Sequence, residues 1–368
     1  MKSNFELNCM EQAVQLANKG IYTTSPNPNV GCVIAKDGRV ISEGWHYQAG
    51  GPHAELMAIL NTQEDLTGST VFVTLEPCAH YGRTDPCVDL LVQKKVKRVF
   101  FGSLDPNPLV NGKGAKRLQE NGIEVFEGLC KEQVIEQNKG YFNRCIKQRP
   151  WVTLKIASTI DGRIAMSNGE SEWISNDQSR SDAHSHRAMS DALITGVGTV
   201  INDDPRFTVR LNDQDIKFKK PHVFILDSQL RTPVNAQVLK QEHVFLVCTQ
   251  QAPSSKLSQF KELGCEVIQQ PIPERVSLKL LMEYLKNQEY NHIQVEAGTE
   301  VNGSFISSEL ADELLIYMAP KIMGSSGRSM FQMDEPKGIK NLPLYRLLEV
   351  KEFGNDLCMQ YRLRCDDV

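Results

Sequence analysis

Two short blocks of the sequence carry side chains that could hold a metal ion and perform hydrolytic chemistry. The first block supplies His53 and Glu55, and the second supplies Cys78 and Cys87. Imidazole and thiolate are good zinc donors, and three protein ligands leave a fourth tetrahedral position for water, which is typical of catalytic zinc. The residue types and their spacing therefore predict that His53, Cys78 and Cys87 bind Zn²⁺.

The carboxylate of the first block is predicted to move protons. A His-x-Glu block followed by Pro-Cys is typical of zinc deaminases, in which the Glu is a general acid and base and not a ligand. Zinc lowers the pKa of bound water from about 15.7 towards 7, so hydroxide can attack a ring carbon that bears an amino group. Because successive helical residues diverge by about 100°, Glu55 should line the pocket beside His53. We expect it to take the proton from water and pass it to the departing amine.

The alternative interpretation makes His53 a helix cap and the two cysteines ordinary buried thiols, which is common for single residues of these types. The context argues against it. Gly50, Gly51 and Pro52 lead into His53, and Pro77 follows the apolar run 70–75. Both blocks thus stand where a loop or strand leads into a helix.

The second block is longer than the Pro-Cys-x-x-Cys of most zinc deaminases. It reads Pro77-Cys78-x-His80-x-Gly82-Arg83-Thr84-x-Pro86-Cys87, with Asn27-Pro28-x-Val30-Gly31 upstream. This pattern closely resembles the deaminase half of the bifunctional riboflavin-biosynthesis deaminase-reductases. The resemblance implies a cytidine-deaminase-like domain that acts on a pyrimidine.

Length and charge limit the class of protein. A chain of 368 residues suits two domains. The net charge of −4, with Lys and Arg spread along the chain, argues against a nucleic-acid partner. The N-terminus lacks a signal-peptide core, and no apolar run approaches the ~18 residues of a membrane span. We expect a cytoplasmic enzyme with reduced thiols, a small-molecule substrate and no membrane partner, which forms a homo-oligomer.

The pattern of the first part predicts an α/β/α domain over residues 1–149. Helical spacing begins at Leu7 and stops at Gly20, and two strands flank a turn at Asp37-Gly38. Further helices and strands alternate. They are a helix after His53, a strand ending at Leu75, a helix after Pro86, a strand over 98–102, and helices over 114–121 and 129–146. Pro150 marks the predicted boundary.

The remainder, 150–368, is predicted to be a second α/β domain. Its apolar strands are short, as buried parallel strands are. They cover 151–157, 191–195, 223–226, 244–248, 265–268, 293–296 and 314–318, and a terminal hairpin covers 347–353 and 357–363. Glycine-bearing turns at 196–200 and 298–304 follow two strands and could hold phosphate at helix starts. Neither turn is G-x-G-x-x-G, so a Rossmann site is not supported.

The order of these turns, together with Lys155, Asp161-Gly162-Arg163 and Asp203-Asp204-Pro205, resembles the reductase half of the same bifunctional family. The resemblance implies a dihydrofolate-reductase-like fold that uses NADPH. It assigns NADPH contacts to Ala157, Trp173, Thr199, Asp203, Ser228, Gly298, Thr299, Glu300, Val301, Asn302, Gly303 and Ser304. It assigns the phosphoribosylamino-pyrimidine to Ser171, Arg187, Phe207, Arg210 and Glu296.

The arginines Arg187 and Arg210 suit a sugar phosphate, because a guanidinium can bind phosphate oxygens in a bidentate way. The alternative is that both are surface charges, as most arginines are. Lys155 and Glu296 are candidate polar groups near the sugar C1, which would accept the hydride. No role is predicted for His80.

We expect a bifunctional enzyme that deaminates a diaminopyrimidinone sugar phosphate and then reduces its ribosyl group to ribityl. One alternative is a nucleoside or tRNA deaminase fused to an unrelated ligand-binding domain. Another is a structural zinc module joined to a binding domain. The scattered basic residues argue against the tRNA version, and the lack of a fourth Cys or His beside the ligands argues against the structural one.

Overall fold

The chain divides into two units at the segment that contains Pro150. The computed structural model describes residues 4–81, 85–211, 213 and 216–364. The units are Met1–Arg149 and Pro150–Val368, each with its own sheet and core. Residues 82–84 of the second ligand block and Cys365 lie outside the described residues. Among the residues described, no helix combines the length and apolar character that a bilayer crossing needs.

The first unit is built around a mixed sheet with the strand order β2-β1-β3-β4-β5. Strand β1 is antiparallel to β2 and to β3, whereas β3, β4 and β5 are parallel. The elements are α1 (Asn4–Asn18), β1 (Gly31–Lys36), β2 (Arg39–Trp45), α2 (Ala54–Leu60), β3 (Thr70–Leu75), α3 (Cys87–Gln93), β4 (Arg98–Ser103), α4 (Lys113–Glu120), β5 (Glu124–Glu127), α5 (Lys131–Gln137) and α6 (Lys139–Ile146).

Helices cover both faces of this sheet. Side chains alternate between the faces of a strand, so in β1 Ile34 packs with Ala58 of α2, and Val33 packs in the core that includes Met10 of α1. Both strand faces are buried, which explains the continuous apolar runs. The predicted α/β/α layering is confirmed.

The helix expected over 129–146 is two helices, because Asn138 ends α5 and precedes α6. The Asn138 side chain accepts a hydrogen bond from the Asn29 backbone N–H at 2.7 Å and donates one to the Asn29 carbonyl at 3.0 Å. Side-chain bonds of this kind compete with helical ones. The break is therefore set by a partner more than a hundred positions away.

The second unit holds a nine-stranded sheet in its described residues, in the order β11-β10-β9-β8-β12-β6-β13-β16-β15. Neighbouring strands from β11 to β13 are parallel, and β16 and β15 add an antiparallel hairpin. The elements are β6 (Trp151–Thr159), β7 (Arg163–Ala165), α7 (Asp177–Met189), β8 (Ala192–Gly196), α8 (Val197–Asp203), β9 (His222–Leu226), β10 (Val244–Thr249), α9 (Ser254–Glu262), β11 (Glu266–Gln270), α10 (Leu278–Asn287), β12 (His292–Val295), α11 (Thr299–Ser307), β13 (Glu313–Ala319), β14 (Arg328–Ser329), β15 (Tyr345–Phe353) and β16 (Asp356–Leu363).

The parallel strands are buried on both faces, as the apolar pattern predicts. In β9, Phe224 belongs to one core cluster, and Val223 and Ile225 belong to the cluster on the other face. The carboxyl ends of β9, β8, β12 and β6 follow one another along one edge of the sheet. In open parallel sheets this edge is where ligands bind.

Candidate functional site

The three predicted metal ligands lie together in the first unit. His53 directly precedes α2, Cys78 follows β3, and Cys87 is the first residue of α3. The distance from His53 Nδ1 to Cys78 Sγ is 3.5 Å and to Cys87 Sγ is 3.4 Å. All three donor atoms lie within 4.8 Å of one another.

These distances fit a tetrahedral zinc site. Zn–S bonds of about 2.3 Å and Zn–N bonds of about 2.0 to 2.1 Å, at a tetrahedral angle, place sulfur and nitrogen about 3.5 Å apart. The measured separations from His53 Nδ1 agree with that value. The backbone N–H of Cys87 also donates to Cys78 Sγ at 3.3 Å, which holds the Cys78 sulfur at the start of α3. The donor set and its geometry both suit zinc.

The electrostatics of the cluster favour a thiolate at Cys78. Hydrogen bonding from Cys87, and then from His53, lowers the pKa of Cys78. Hydrogen bonding to Cys78 outweighs burial and raises the pKa of His53 to about 9. The cluster thus stabilises a Cys78 thiolate with a proton held on His53, and zinc, which binds a thiolate and a neutral imidazole, would take the place of that proton.

Glu55 lies beside this cluster but outside the ligand group. It is the second residue of α2, is 4% exposed, and has the Cys87 side chain as a neighbour. Burial first, and then the negative charge of Cys78, raise the pKa of Glu55 to about 7. A buried carboxyl at this position can accept and release a proton near neutral pH.

Two residues near the cluster, His46 and Glu76, were not predicted as site residues. The His46 ring lies edge-on to the His53 ring, with centroids 5.6 Å apart. His46 Nδ1 is 2.8 Å from the Pro52 carbonyl, which can only accept, so His46 Nε2 is left to accept from Asn27 Nδ2 at 3.1 Å. Burial lowers the pKa of His46. A neutral, oriented imidazole therefore lies beside the three predicted ligands, and its sequence signal is a single His after β2.

A buried carboxylate fixes the segment that carries Cys78. Glu76 is 3% exposed and accepts backbone hydrogen bonds from Gly112 at 2.9 Å, Ala115 at 3.0 Å and Asp105 at 3.3 Å. A hydrogen bond to a charged acceptor is stronger than one between two neutral groups. Glu76 thereby joins the Pro77-Cys78 segment to the start of α4. His80 Nδ1 is also buried here, and no described residue is its hydrogen-bond partner.

A second site is a cavity of about 750 Å³ in the second unit. It lies where the carboxyl ends of β6, β12, β8 and β9 meet. Most of the predicted cofactor and substrate residues line it. They are Ala157, Ser171, Arg187, Thr199, Asp203, Phe207, Ser228, Glu296, Gly298, Thr299, Glu300, Val301 and Ser304.

Four predicted residues lie away from the cavity lining, and their roles stay predictions. Trp173 is 63% exposed, with the Arg180 guanidinium 4.4 Å from its ring centre. Arg210 is exposed and donates to the Thr208 hydroxyl. Asn302 and Gly303 are on the buried side of α11 against residues 330–332: Asn302 donates to the Met330 carbonyl, and a Cβ at Gly303 would lie 1.8 Å from the Gln332 carbonyl oxygen.

The helix that begins at this cavity suits a dinucleotide. Helix α11 has Gly298 as its N-cap, with no side-chain cap, and its first residues line the cavity. Free N–H groups and the dipole at a helix start bind phosphate. A Cβ at Gly196 would lie 2.9 Å from Val301 Cγ2, so glycine is needed for the close approach of the β8–α8 turn to α11. The cavity also falls within the size range of cofactor sites.

A charged cluster occupies the β6 and β12 side of the cavity. Arg187 donates from its NH2 group to Glu296 Oε2 at 2.7 Å, and Lys155 Nζ is 3.9 Å from the same oxygen. Burial opposes ionisation of Glu296, but Arg187, with Lys155 and Gln294, outweighs it and lowers the pKa to about 2. Burial lowers the pKa of Lys155, while Glu296 opposes that shift. The cluster holds an amine whose proton is more easily released than usual.

Sequence reasoning missed six polar residues of the lining: Asn202, Gln229, Arg231, Glu274, Arg275 and Arg328. Asn202 and Gln229 are direct neighbours of the predicted residues Asp203 and Ser228, whereas the other four lie in segments without a motif, and only the fold brings them to the cavity.

Comparison with known protein families assigns both units. Residues 3–103 match the cytidine and deoxycytidylate deaminase zinc-binding region, and residues 150–359 match the RibD C-terminal domain. Riboflavin biosynthesis protein RibD of Haemophilus influenzae is 41% identical over 96% of both chains. The protein of the same name from Escherichia coli is 39% identical over 95% of this chain and 97% of its own.

Solved structures agree with this assignment of both units. Acinetobacter baumannii RibD, form 1, superposes with a TM-score of 0.90 at 40% identity, covering 98% of this chain and 99% of that one. A diaminohydroxyphosphoribosylaminopyrimidine deaminase/5-amino-6-(5-phosphoribosylamino)uracil reductase from Thermotoga maritima superposes with a TM-score of 0.85 at 32% identity, with the same coverage. The predicted fold classes of both halves are confirmed.

Proposed function

This chain belongs to the RibD family of riboflavin biosynthesis proteins, and from that premise we propose that it catalyses two consecutive steps of the pathway. Its zinc-dependent unit deaminates 2,5-diamino-6-(5-phosphoribosylamino)pyrimidin-4-one. Its NADPH-dependent unit then reduces the ribosyl group of the product to ribityl. The observation that carries the proposal is the coexistence in one chain of the His53–Cys78–Cys87 donor cluster and the cavity that begins at α11.

In the deamination, the chain holds the metal and moves the proton. His53, Cys78 and Cys87 would hold zinc, which supplies a Lewis acid that activates water for attack on the ring carbon bearing the amino group. The buried Glu55 carboxylate takes a proton from water and then gives it to the nitrogen that leaves as ammonia. Glu76 and His46 position the groups around it.

In the reduction, the chain orients two ligands and supplies a proton. The first turn of α11 and the residues around Thr199 would hold NADPH, which supplies a hydride to the sugar C1. Opening of the ribose ring gives an imine, and reduction adds the hydride at C1 and a proton at the attached nitrogen. We assign that proton to Lys155 Nζ, held by Glu296 beside the cavity. Arg187 fixes Glu296, and Arg210 is assigned to the substrate phosphate.

Three further features belong to this proposal. The substrate is a small molecule, and the net charge of −4 gives no support to a nucleic-acid partner. We propose a homo-oligomer in the cytoplasm; exposed Leu347 and Val350 on edge strand β15 support pairing with another chain. The alternative of an unrelated C-terminal domain loses its basis, because residues 150–359 match the RibD C-terminal domain.

One pair of assays tests the two activities separately. The wild-type protein should release ammonia from the diaminopyrimidinone sugar phosphate and oxidise NADPH when given the deaminated sugar phosphate. Metal analysis should find one zinc per chain. Cys87→Ser should lose zinc and ammonia release together and keep NADPH oxidation, because Cys87 lies in the first unit. Full ammonia release by a zinc-free variant would contradict the metal assignment.

A further inference from the structure

The cavity of the second unit has a distinct wall at the carboxyl end of β9. Ser228 and Arg231 follow that strand, and Arg275 and Val276 precede α10; all four line the cavity. Ser228 Oγ accepts a hydrogen bond from the Val276 N–H at 3.2 Å, which joins the two segments. We name these two segments, residues 228–231 and 274–278, the β9 wall.

The β9 wall is held in place by a buried carboxylate. Asp227 is 0% exposed, and its Oδ2 accepts hydrogen bonds at 2.7 Å from both the N–H and the hydroxyl of Thr232. The Ser228 carbonyl accepts from the Thr249 N–H at 3.1 Å and from its hydroxyl at 3.0 Å. The turn that presents Arg231 is therefore ordered before any ligand binds, which lowers the entropic cost of using it.

The strand order fixes which part of a dinucleotide reaches this wall. Along the edge, the sequence is β6, β12, β8 and then β9. Lys155 is on β6, and α11 follows β12. A dinucleotide with its nicotinamide near Lys155 and its pyrophosphate at the start of α11 must carry its adenosine ribose onward to β8 and β9. At about 4.8 Å per strand, β9 lies about 14 Å from β6.

The positive charges on the two sides of the cavity differ in their pairing. Glu296 forms ion pairs with both Arg187 and Lys155, so both cations on that side already have a carboxylate partner. On the β9 wall, Arg231 and Arg275 supply two positive charges against the single negative charge of Glu274. Across the described ranges, neither of these guanidinium groups has an ion-pair or hydrogen-bond partner. Leu226 and Leu278 add apolar surface suited to an adenine ring.

We propose that Arg231 and Arg275 bind the 2′-phosphate of NADPH and so make this reductase prefer NADPH over NADH. This inference rests on the proposed function, because it takes the cavity to be the cofactor site. A guanidinium matches phosphate oxygens in a bidentate way, and an arginine near the adenosine ribose is how dinucleotide sites accommodate a 2′-phosphate. NADH carries a hydroxyl at that position and gains nothing from the two charges.

The test is equilibrium binding of NADPH and NADH to the full-length protein, measured by calorimetry. Arg231→Gln and Arg275→Gln keep the polar stem and remove the charge, so each should raise the Kd for NADPH about tenfold and leave that for NADH unchanged. Arg231→Lys should recover part of the loss. Lys261→Gln is the control, because Lys261 is an exposed cation on α9 of the same unit and does not line the cavity.

The outcomes separate this inference from the proposed function. Wild-type protein that binds neither cofactor would contradict the proposed function itself. Wild-type protein that prefers NADPH, with both variants keeping that preference, would overturn the assignment of the arginines alone. Equal weakening of NADPH and NADH would make the arginines structural. A raised KM for the sugar phosphate with unchanged NADPH binding would place the substrate phosphate, and not the cofactor, on the β9 wall.

Discussion

Replacing Glu296 by Gln should strongly destabilise the second unit. The Glu296 side chain is 11% exposed and that of Arg187 is 16% exposed, so the substitution leaves a buried guanidinium without its counter-charge. Breaking a buried pair from one side typically costs about 3 to 5 kcal/mol. The environment lowers the pKa of Glu296 from 4.5 to about 2. At about 1.4 kcal/mol per pKa unit, this shift corresponds to about 3 kcal/mol.

The loss of stability caused by Glu296→Gln should depend on pH in a defined direction. Because the folded-state pKa of Glu296 is lower than its ordinary value of 4.5, its carboxylate stabilises the fold fully above about pH 4.5. That contribution is lost as the pH falls towards 2. The difference in free energy of unfolding between wild type and Glu296→Gln should therefore be constant from pH 7 to about pH 5 and shrink below that.

Urea unfolding followed by tryptophan fluorescence measures this difference. The chain has three tryptophans, Trp45, Trp151 and Trp173. A Trp45→Phe background leaves the two in the second unit as reporters. Glu242→Gln is the control, because Glu242 pairs with Lys220 on the surface of the same unit, where both side chains are more than 60% exposed. Such an exposed pair contributes little to stability.

A double-mutant cycle decides whether the cost comes from the pair. Arg187→Met combined with Glu296→Gln should be less destabilising than the sum of the single variants, by at least about 2 kcal/mol. Strictly additive losses would refute the view that Arg187 and Glu296 stabilise the unit as a pair. A loss for Glu296→Gln no larger than that for Glu242→Gln would refute the burial argument.

Three further outcomes test the assigned chemistry. Glu55→Gln should retain zinc and lose at least about 10²-fold in deamination, as expected for a general acid and base; loss of zinc would make Glu55 a ligand. The rate of reduction should fall as the pH rises through the pKa of Lys155, which lies below the ordinary 10.5. Lys155→Arg should move this descending limb of the pH–rate profile to higher pH. An unchanged limb would exclude Lys155 as the proton donor. Arg210→Ala should weaken binding of the phosphorylated substrate by at least about tenfold and leave a dephosphorylated analogue unaffected; equal weakening of both would exclude a phosphate contact.

The local spacing of residues was sufficient to predict much of the secondary structure and the donor cluster of the first unit. The period of apolar residues predicts most helices and strands, because alternation and helical repeats are set within a few residues. The residues of the His53–Cys78–Cys87 donor cluster were also predictable, since each block carries its own chemical signature. Strand β5 escaped prediction because it is short and largely exposed, so burial imposes no apolar pattern on it.

Tertiary structure decided what depends on partners far apart in the chain. Asn29 divides the helix expected over 129–146, and Glu76 joins the Cys78 segment to α4 through backbone N–H groups that no pattern marks. Arg187 and Glu296 are 109 positions apart, and their contact exists because α7 packs against β12, which Glu296 directly follows.

The resemblance to a known family identified candidate residues of the second site, but only the fold shows which of them share a cavity. Thr199 and Ser228 line it, whereas Arg210 lies on the surface. The fold also brings Arg231 and Arg275 to the lining without any sequence signal. The physical reason is that spacing along a chain fixes the face on which a side chain lies, while strand order fixes its neighbours across the sheet.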